Sequence, residues 1–268
     1  MQELIEEVKR ISGNMARLGW AESNGGNISV RLKPEFYPYF DDCQPKSEWL
    51  NLSLSLPEIG GERFLVTGTG CHLRNIEISP QKNLGVIELD KKGESYRLLW
   101  GYEPQGAPTS ELPSHLMSHC RMKIKSNNQM FAFIHTHPTH IIALSYAVAN
   151  LNTRTLTKLL WQSHAECIVA FPEGVEFLPW MMAGSMDMAK ATADAMGRRN
   201  LAVWQYHGIC SGGCDLDEAF GRIEVVEKAA EIYLCVRAVG GFQQTLSEEQ
   251  LLAIALNFNC PVDKSLWG

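Results

Sequence analysis

The sequence predicts a mixed fold of helices and strands, either α+β or an α/β sandwich whose strands pair largely antiparallel. Three observations predict it. Helical and strand-like periods follow one another along the whole chain. Several strands are separated by turn-forming residues too few for a crossover. No repeat, low-complexity tract or Pro/Gly/Ser-rich linker divides the 268 residues, so the chain reads as one domain with an irregular excursion at about 33–60.

Each element has its own local cause. Leu4, Ile5, Val8, Ile11, Met15 and Leu18 recur at helical spacing over residues 3–18, and Gly19 is a stop. After Ser23-Asn24-Gly25-Gly26-Asn27, alternation over Ile28, Val30 and Leu32 predicts a strand. Residues 33–60 have no period and allow one or two short elements. Phe64 to Thr67 is a short strand ending in Gly68-Thr69-Gly70. Leu84–Leu89 and Ser95–Leu99 form a hairpin across Asp90-Lys91-Lys92-Gly93. Pro108-Thr109-Ser110-Glu111 opens a helix to about Lys125. Met130 to Ile134 is an apolar strand ended by His135-Thr136-His137-Pro138, and Thr139 caps a helix through Ala149. Residues 153–163 are helical. Cys167 to Phe171 reads as a strand, 185–198 as a helix and Leu201 to Tyr206 as a strand. A long helix covers about 216–239, and Ser247-Glu248-Glu249-Gln250 is a capping box opening the last helix.

Composition narrows the function. A formal charge of −6 argues against a nucleic-acid binder, which needs a basic footprint. It leaves anionic small molecules open, because a pocket in an acidic protein can still be positive. The start MQELIEEVKR has no apolar signal region, and no run of about 18 apolar residues suggests a membrane span. A cytoplasmic protein with no membrane partner is expected. The eight cysteines are expected to be reduced and mostly buried. Cys210 and Cys214 lack a second pair at zinc-ribbon spacing and are not read as a metal site.

His135 and His137 are the sharpest feature. Side chains at i and i+2 of a strand share a face, so two imidazoles at a strand end suit one metal ion. His207, between an apolar strand and Gly208, is the best third ligand. His115 and His119 compete at i, i+4, but HLMSH lacks the Glu of the zinc-protease motif, so they are read as structural. Each of the loops at 24–27, 67–70 and 109–111 is by itself an ordinary turn or helix cap, but three of them beside a two-His site, one opening a helix, also suit an anion such as phosphate. Glu111 is either an ordinary first-turn Glu or a general base beside a metal-bound carbonyl.

These pieces combine into a known pattern. Asn24-Gly25-Gly26-Asn27-Ile28-Ser29, Val66-Thr67-Gly68-Thr69-Gly70, Pro108-Thr109-Ser110-Glu111-Leu112-Pro113 with His115, the H-x-H pair and Trp204 with His207-Gly208 resemble the class II aldolase and epimerase family. The stretches 98–101, 166–174 and 178–181 and the insertion at 33–60 resemble the members that cleave deoxy-ketose 1-phosphates; the shorter fuculose-1-phosphate aldolases lack such an insertion. The resemblance covers nearly the whole chain. It implies a three-layer α/β/α sandwich with a mostly antiparallel central sheet, and a homotetramer with sites near subunit interfaces. It implies one zinc per subunit on His135, His137 and His207, and Glu111 as catalytic acid/base. It further implies a substrate phosphate lined by Asn24, Gly26, Asn27, Thr69, Gly70, Thr109 and Ser110, and Glu166 reaching a neighbouring subunit's site.

Two positions depart from the family pattern. Thr69 stands where Ser is expected and keeps the hydroxyl, and Cys71-His72 replaces a Lys-aromatic pair. Pentulose-phosphate 4-epimerases of the family carry Asp where this chain has Glu111, which favours an aldolase. Non-catalytic scaffolds of the family lose metal ligands, whereas all three histidines are present here.

Overall fold

Strands β1 (Asn27–Arg31) and β6 (Ala132–Thr136) run antiparallel in the interior of one sheet, and their register prepares the site. Asn27 lies opposite His135, Ile28 opposite Ile134 and Ser29 opposite Phe133. Every residue of both strands is buried, as in strands covered on both faces. Alternation then sorts the side chains. Ile28, Val30, Ala132 and Ile134 join one apolar cluster, and Phe133 joins another. The computed structural model describes residues 1–267.

Among the described residues the sheet has nine strands, in the order β2-β5-β4-β3-β1-β6-β9-β8-β7. These are β2 (Leu50–Asn51), β3 (Arg63–Thr67), β4 (Leu84–Leu89), β5 (Ser95–Gly101), β7 (Glu176–Leu178), β8 (Leu201–Trp204) and β9 (Gly208–Gly213), with β1 and β6 between. Neighbours are antiparallel except β7 and β8, which are parallel. The sheet is therefore mixed rather than purely antiparallel. The cause is α8 (Met186–Arg198), which carries the chain back between those two strands as parallel pairing requires.

Helix α1 (Gln2–Arg17) buries Leu4, Val8, Ile11 and Met15 in the larger cluster, and Gly19 follows its end at φ +75°. That cluster also takes apolar residues from α5 (Thr139–Ala147), α6 (Thr153–Ser163), α9 (Leu216–Ala238) and α10 (Glu248–Asn257). Helix α4 (Leu112–Lys125) packs against α8 and supplies Leu112 and Leu116 to a third cluster with Phe64 and Ile87. Asn152 caps α6 and Ser247 caps α10, each in a reciprocal box.

The structure corrects several local expectations. Cys167–Phe171 is not a strand. It forms the short helix α7 (Cys167–Ala170), with Phe171 N–H donating to the Cys167 carbonyl. The run is apolar and β-branched, but it packs among helices rather than beside a strand, and tertiary packing overrides propensity. Thr139 does not cap α5. Pro138 holds the cap position, and the buried Glu227 of α9 accepts the His140 and Ile141 N–H groups instead. The apolar strand before the histidines lies at 132–136, two residues later than expected, so His135 belongs to it. Leu201–Tyr206 stops at Trp204 and turns into β9, which the sequence did not indicate. The 33–60 segment holds more than two short elements: a 3-10 turn at Pro34–Phe36, α2 (Pro38–Asp41), β2 and a turn at Pro57–Ile59. The remaining helix is α3 (Pro80–Asn83), just before β4.

Candidate functional site

The end of β6 and the β8–β9 turn bring three imidazoles together. One nitrogen of each of His135, His137 and His207 lies within 4.8 Å of the others. Strand periodicity sets His135 and His137 side by side, and the turn after Trp204 adds His207. Gly208 allows that turn to approach. A Cβ there would sit 2.4 Å from the Thr136 carbonyl oxygen and 2.9 Å from the His137 ring. Trp204 covers His135, with ring centroids 4.3 Å apart.

The outer ring nitrogens are already engaged. His135 Nδ1 donates to the Ile209 carbonyl at 3.1 Å, and His137 Nδ1 donates to Glu22 Oε1 at 2.8 Å. A neutral imidazole that donates from Nδ1 keeps a lone pair on Nε2. The two Nε2 atoms face each other at 3.2 Å. Two facing lone pairs repel, and a shared cation turns that repulsion into binding. The cluster therefore fits a metal on its own donor chemistry: three imidazoles, two of them oriented by outer partners. Burial pushes the His135 pKa well below its ordinary value and His207 down to about 4, so both are unprotonated at neutral pH. Among the described residues no other group of His, Cys, Asp or Glu converges in this way. The cysteines are unpaired, with Cys210 buried and Cys214 exposed.

Glu111 stands at the N-terminus of α4 but makes no capping hydrogen bond. Its Oε2 lies 3.9 Å from His135 Nε2 and accepts from Asn27 Nδ2 at 2.9 Å. Burial raises its pKa, and the Asn27 hydrogen bond works against that rise. A buried carboxyl group beside a metal-binding cluster, with burial favouring its neutral form and Asn27 its charged form, suits proton transfer.

Two of the three polar loops lie side by side. Thr69 N–H donates to the Ala107 carbonyl and Thr109 N–H to the Thr67 carbonyl, both at 2.9 Å. Thr109 is buried, and its hydroxyl takes the Glu111 N–H, whereas Thr69, Gly70 and Ser110 are exposed. The 24–27 loop joins them through Asn27. Gly26, at φ +76°, lets its backbone pass close to the His135 carbonyl, while Asn24 is exposed. Glu166 is not part of this group. It precedes α7, is exposed, and makes no hydrogen bond or ion pair to the cluster. Sequence reasoning missed Glu22, whose exposed loop carries no signal, and the stacking role of Trp204, although Trp204 lies in the motif with His207.

His115 and His119 lie in α4, outside the group of three converging imidazoles, and both are buried. Burial pushes His115 down to about 3 and His119 well below 6.5. Both stay neutral in the folded chain, while the unfolded chain takes up protons on them below about pH 6.5. Stability from this source is therefore complete above that pH and is lost as pH falls toward 3. Each adds a slope of up to about 1.4 kcal/mol per pH unit. The urea midpoint of metal-free protein is expected to drop steadily from pH 7 to pH 5, with His135 adding in the same direction. A flat midpoint over that range would contradict the assignment.

Residues 6–234 match the model of the class II aldolase and adducin N-terminal domain family. A rhamnulose-1-phosphate aldolase of Listeria innocua is 40% identical over 257 residues, covering 96% of this chain and 93% of that protein. One of Escherichia fergusonii is 40% identical over 241 residues, covering 90% and 88%. The crystal structure of a sugar-phosphate aldolase from Thermotoga maritima superposes with a TM-score of 0.76 at 30% identity, covering 90% of this chain and 98% of that one.

Proposed function

The chain belongs to the class II aldolase family, and from that premise we propose that it is a zinc-dependent lyase of L-rhamnulose 1-phosphate, cleaving it reversibly to dihydroxyacetone phosphate and L-lactaldehyde. The observation that carries the proposal is Glu111, 3.9 Å from His135 in a cluster of three imidazoles. The substrate follows from the 40% identity, over most of both chains, to proteins of that name.

His135, His137 and His207 would hold one zinc ion per subunit. When bound, the metal supplies Lewis-acid stabilisation of the negative charge that builds on the ketose oxygens. The chain's own residues handle the protons. As the C3–C4 bond breaks, its electron pair stays on the C3 side. The C4 hydroxyl gives up its proton and becomes the aldehyde of lactaldehyde. The Glu111 carboxyl delivers a proton to C3 and becomes a carboxylate, which the Asn27 amide stabilises by donation. In the condensation direction Glu111 removes that C3 proton.

Asn24, Gly26, Asn27, Thr69, Gly70, Thr109 and Ser110 are proposed to receive the substrate phosphate. The exposed hydroxyls of Thr69 and Ser110 and the N-terminus of α4 support that role. We assign Glu166 to a neighbouring subunit's site, where it exchanges the C4 oxygen's proton. This requires an oligomer, which we propose is a homotetramer, and the exposed apolar side chains of Tyr146, Trp180, Met182 and Tyr206 offer contact surface for it. A three-layer α/β/α arrangement of one domain belongs to the same proposal, supported by apolar clusters that separate with strand alternation. So does a cytoplasmic location, which the unpaired cysteines favour. Among the described residues no helix is long and apolar enough to cross a membrane.

The test is dihydroxyacetone phosphate release from L-rhamnulose 1-phosphate by metal-analysed protein. Chelation should stop release, zinc should restore it, and borohydride added with substrate should trap no lysine adduct. Failure of zinc-loaded protein to release product would sink the substrate assignment, and L-fuculose 1-phosphate and L-ribulose 5-phosphate would be tried next.

A further inference from the structure

We infer that His115 is a positioning residue for Glu111, acting through the side-chain amide of Asn27; this rests on the acid/base role proposed for Glu111. A continuous chain of side chains leads from the interior to that carboxylate. His119 Nε2 meets Ser29 Oγ at 2.8 Å, and Ser29 Oγ meets His115 Nδ1 at 2.7 Å. His115 Nε2 is hydrogen-bonded to Asn27 Oδ1, and Asn27 Nδ2 reaches Glu111 Oε2 at 2.9 Å. His119, Ser29, His115 and Asn27 are all buried.

The two ends of this chain set one direction of donation. An ionised Glu111 only accepts, so the Asn27 amide must present its NH2 group to it. Asn27 Oδ1 then faces His115, and His115 must carry its proton on Nε2. His115 Nδ1 is consequently an acceptor and takes the Ser29 hydroxyl proton. Ser29 oxygen in turn accepts from His119 Nε2–H. At the far end His119 Nδ1 is buried with no partner. A proton there would be a stranded donor, so its place on Nε2 is favoured from that side as well. Phe64 and Phe133 flank the two rings and hold them in place.

The consequence is specific. Without a donor at His115 Nε2, the Asn27 amide is free to turn over and point its oxygen at the Glu111 carboxylate. That substitutes repulsion for donation at the proton-transfer group. The effect is on turnover, because the metal ligands are untouched.

Three substitutions test this. His115→Leu removes the donor at similar volume. His115→Asn keeps an amide too short to reach Asn27. His115→Gln sets its Nε2 donor where the imidazole Nε2 donates. Zinc content, kcat and KM are measured for each, with Glu111→Gln alongside. Leu and Asn variants are expected to lose about tenfold or more in kcat, with KM within about twofold and zinc retained. The Gln variant is expected to recover to within about threefold of the parent. On an Asn27→Ala background, His115→Leu should cost nothing further in kcat. If the Leu variant does not fold, the Asn and Gln contrast carries the test. Full kcat in the Asn variant, a Gln variant as slow as Asn, or additive losses with Asn27→Ala each overturn the inference. If Glu111→Gln itself keeps normal turnover, the acid/base role fails and this inference with it. If Glu111→Gln is inactive while the His115 variants are normal, only the positioning role falls.

Discussion

Glu111→Gln is expected to fold, to keep its metal and to lose about 10²–10⁴-fold in kcat, the contribution of a positioned acid/base. The substitution is nearly isosteric and keeps an oxygen that can accept from Asn27 Nδ2. It removes the ability to exchange a proton at C3. No metal-facing imidazole is altered, since His135 and His137 take their orientation from Ile209 and Glu22. Stability should stay the same or rise slightly, because burial works against the charged form of Glu111 and the amide is neutral. The measurement is steady-state kinetics with metal analysis on the same preparation. A kcat within threefold of the parent would remove Glu111 from the mechanism.

His207→Ala is expected to lose more than about 100-fold in activity at equal added zinc, beyond the 10–100-fold typical when only an outer partner of a ligand is lost. Two imidazoles remain, fewer than the three protein ligands a catalytic zinc ordinarily has. His207 is chosen over His135 because it lies in the β8–β9 turn and is only part-buried, so its removal leaves little cavity. Stability supplies a readout independent of turnover. At zinc about 1,000 times its Kd, the parent gains about 4 kcal/mol from binding, and the variant should lose most of that gain. Equal zinc-dependent rises in Tm for parent and variant would show that His207 is not a ligand.

Periodicity made much of the framework legible. The amphipathic run of α1, the helical stretch at 153–163 and the box at Ser247 to Gln250 are encoded within a few residues, and they stand close to where the sequence sets them. The site was legible to a similar depth. His135 and His137 need only the two-residue repeat of a strand to share a face. His207 was legible as a histidine at a strand end, although the hairpin that delivers it was not.

Local pattern also misled. Cys167–Ala170 carries the composition of a buried strand, and a short apolar run has no periodicity to separate it from a buried helical turn. Its neighbours α6, α9 and α10 decided the matter. The cap of α5 came from Glu227, 87 residues from the His140 N–H it accepts.

By itself, then, the sequence determined the metal-suited imidazole pair, the candidate third ligand, the glycine turns and the family pattern that joins them. The tertiary structure alone decided that Glu111 turns to the histidines instead of capping its helix. It alone decided that Glu22 orients His137 and that Asn27, Ser29, His115 and His119 form one directed chain. The physical reason is range. Strand and helix periods act over a few residues, whereas these hydrogen bonds join groups 84 to 115 positions apart once β1, β6 and α4 have packed.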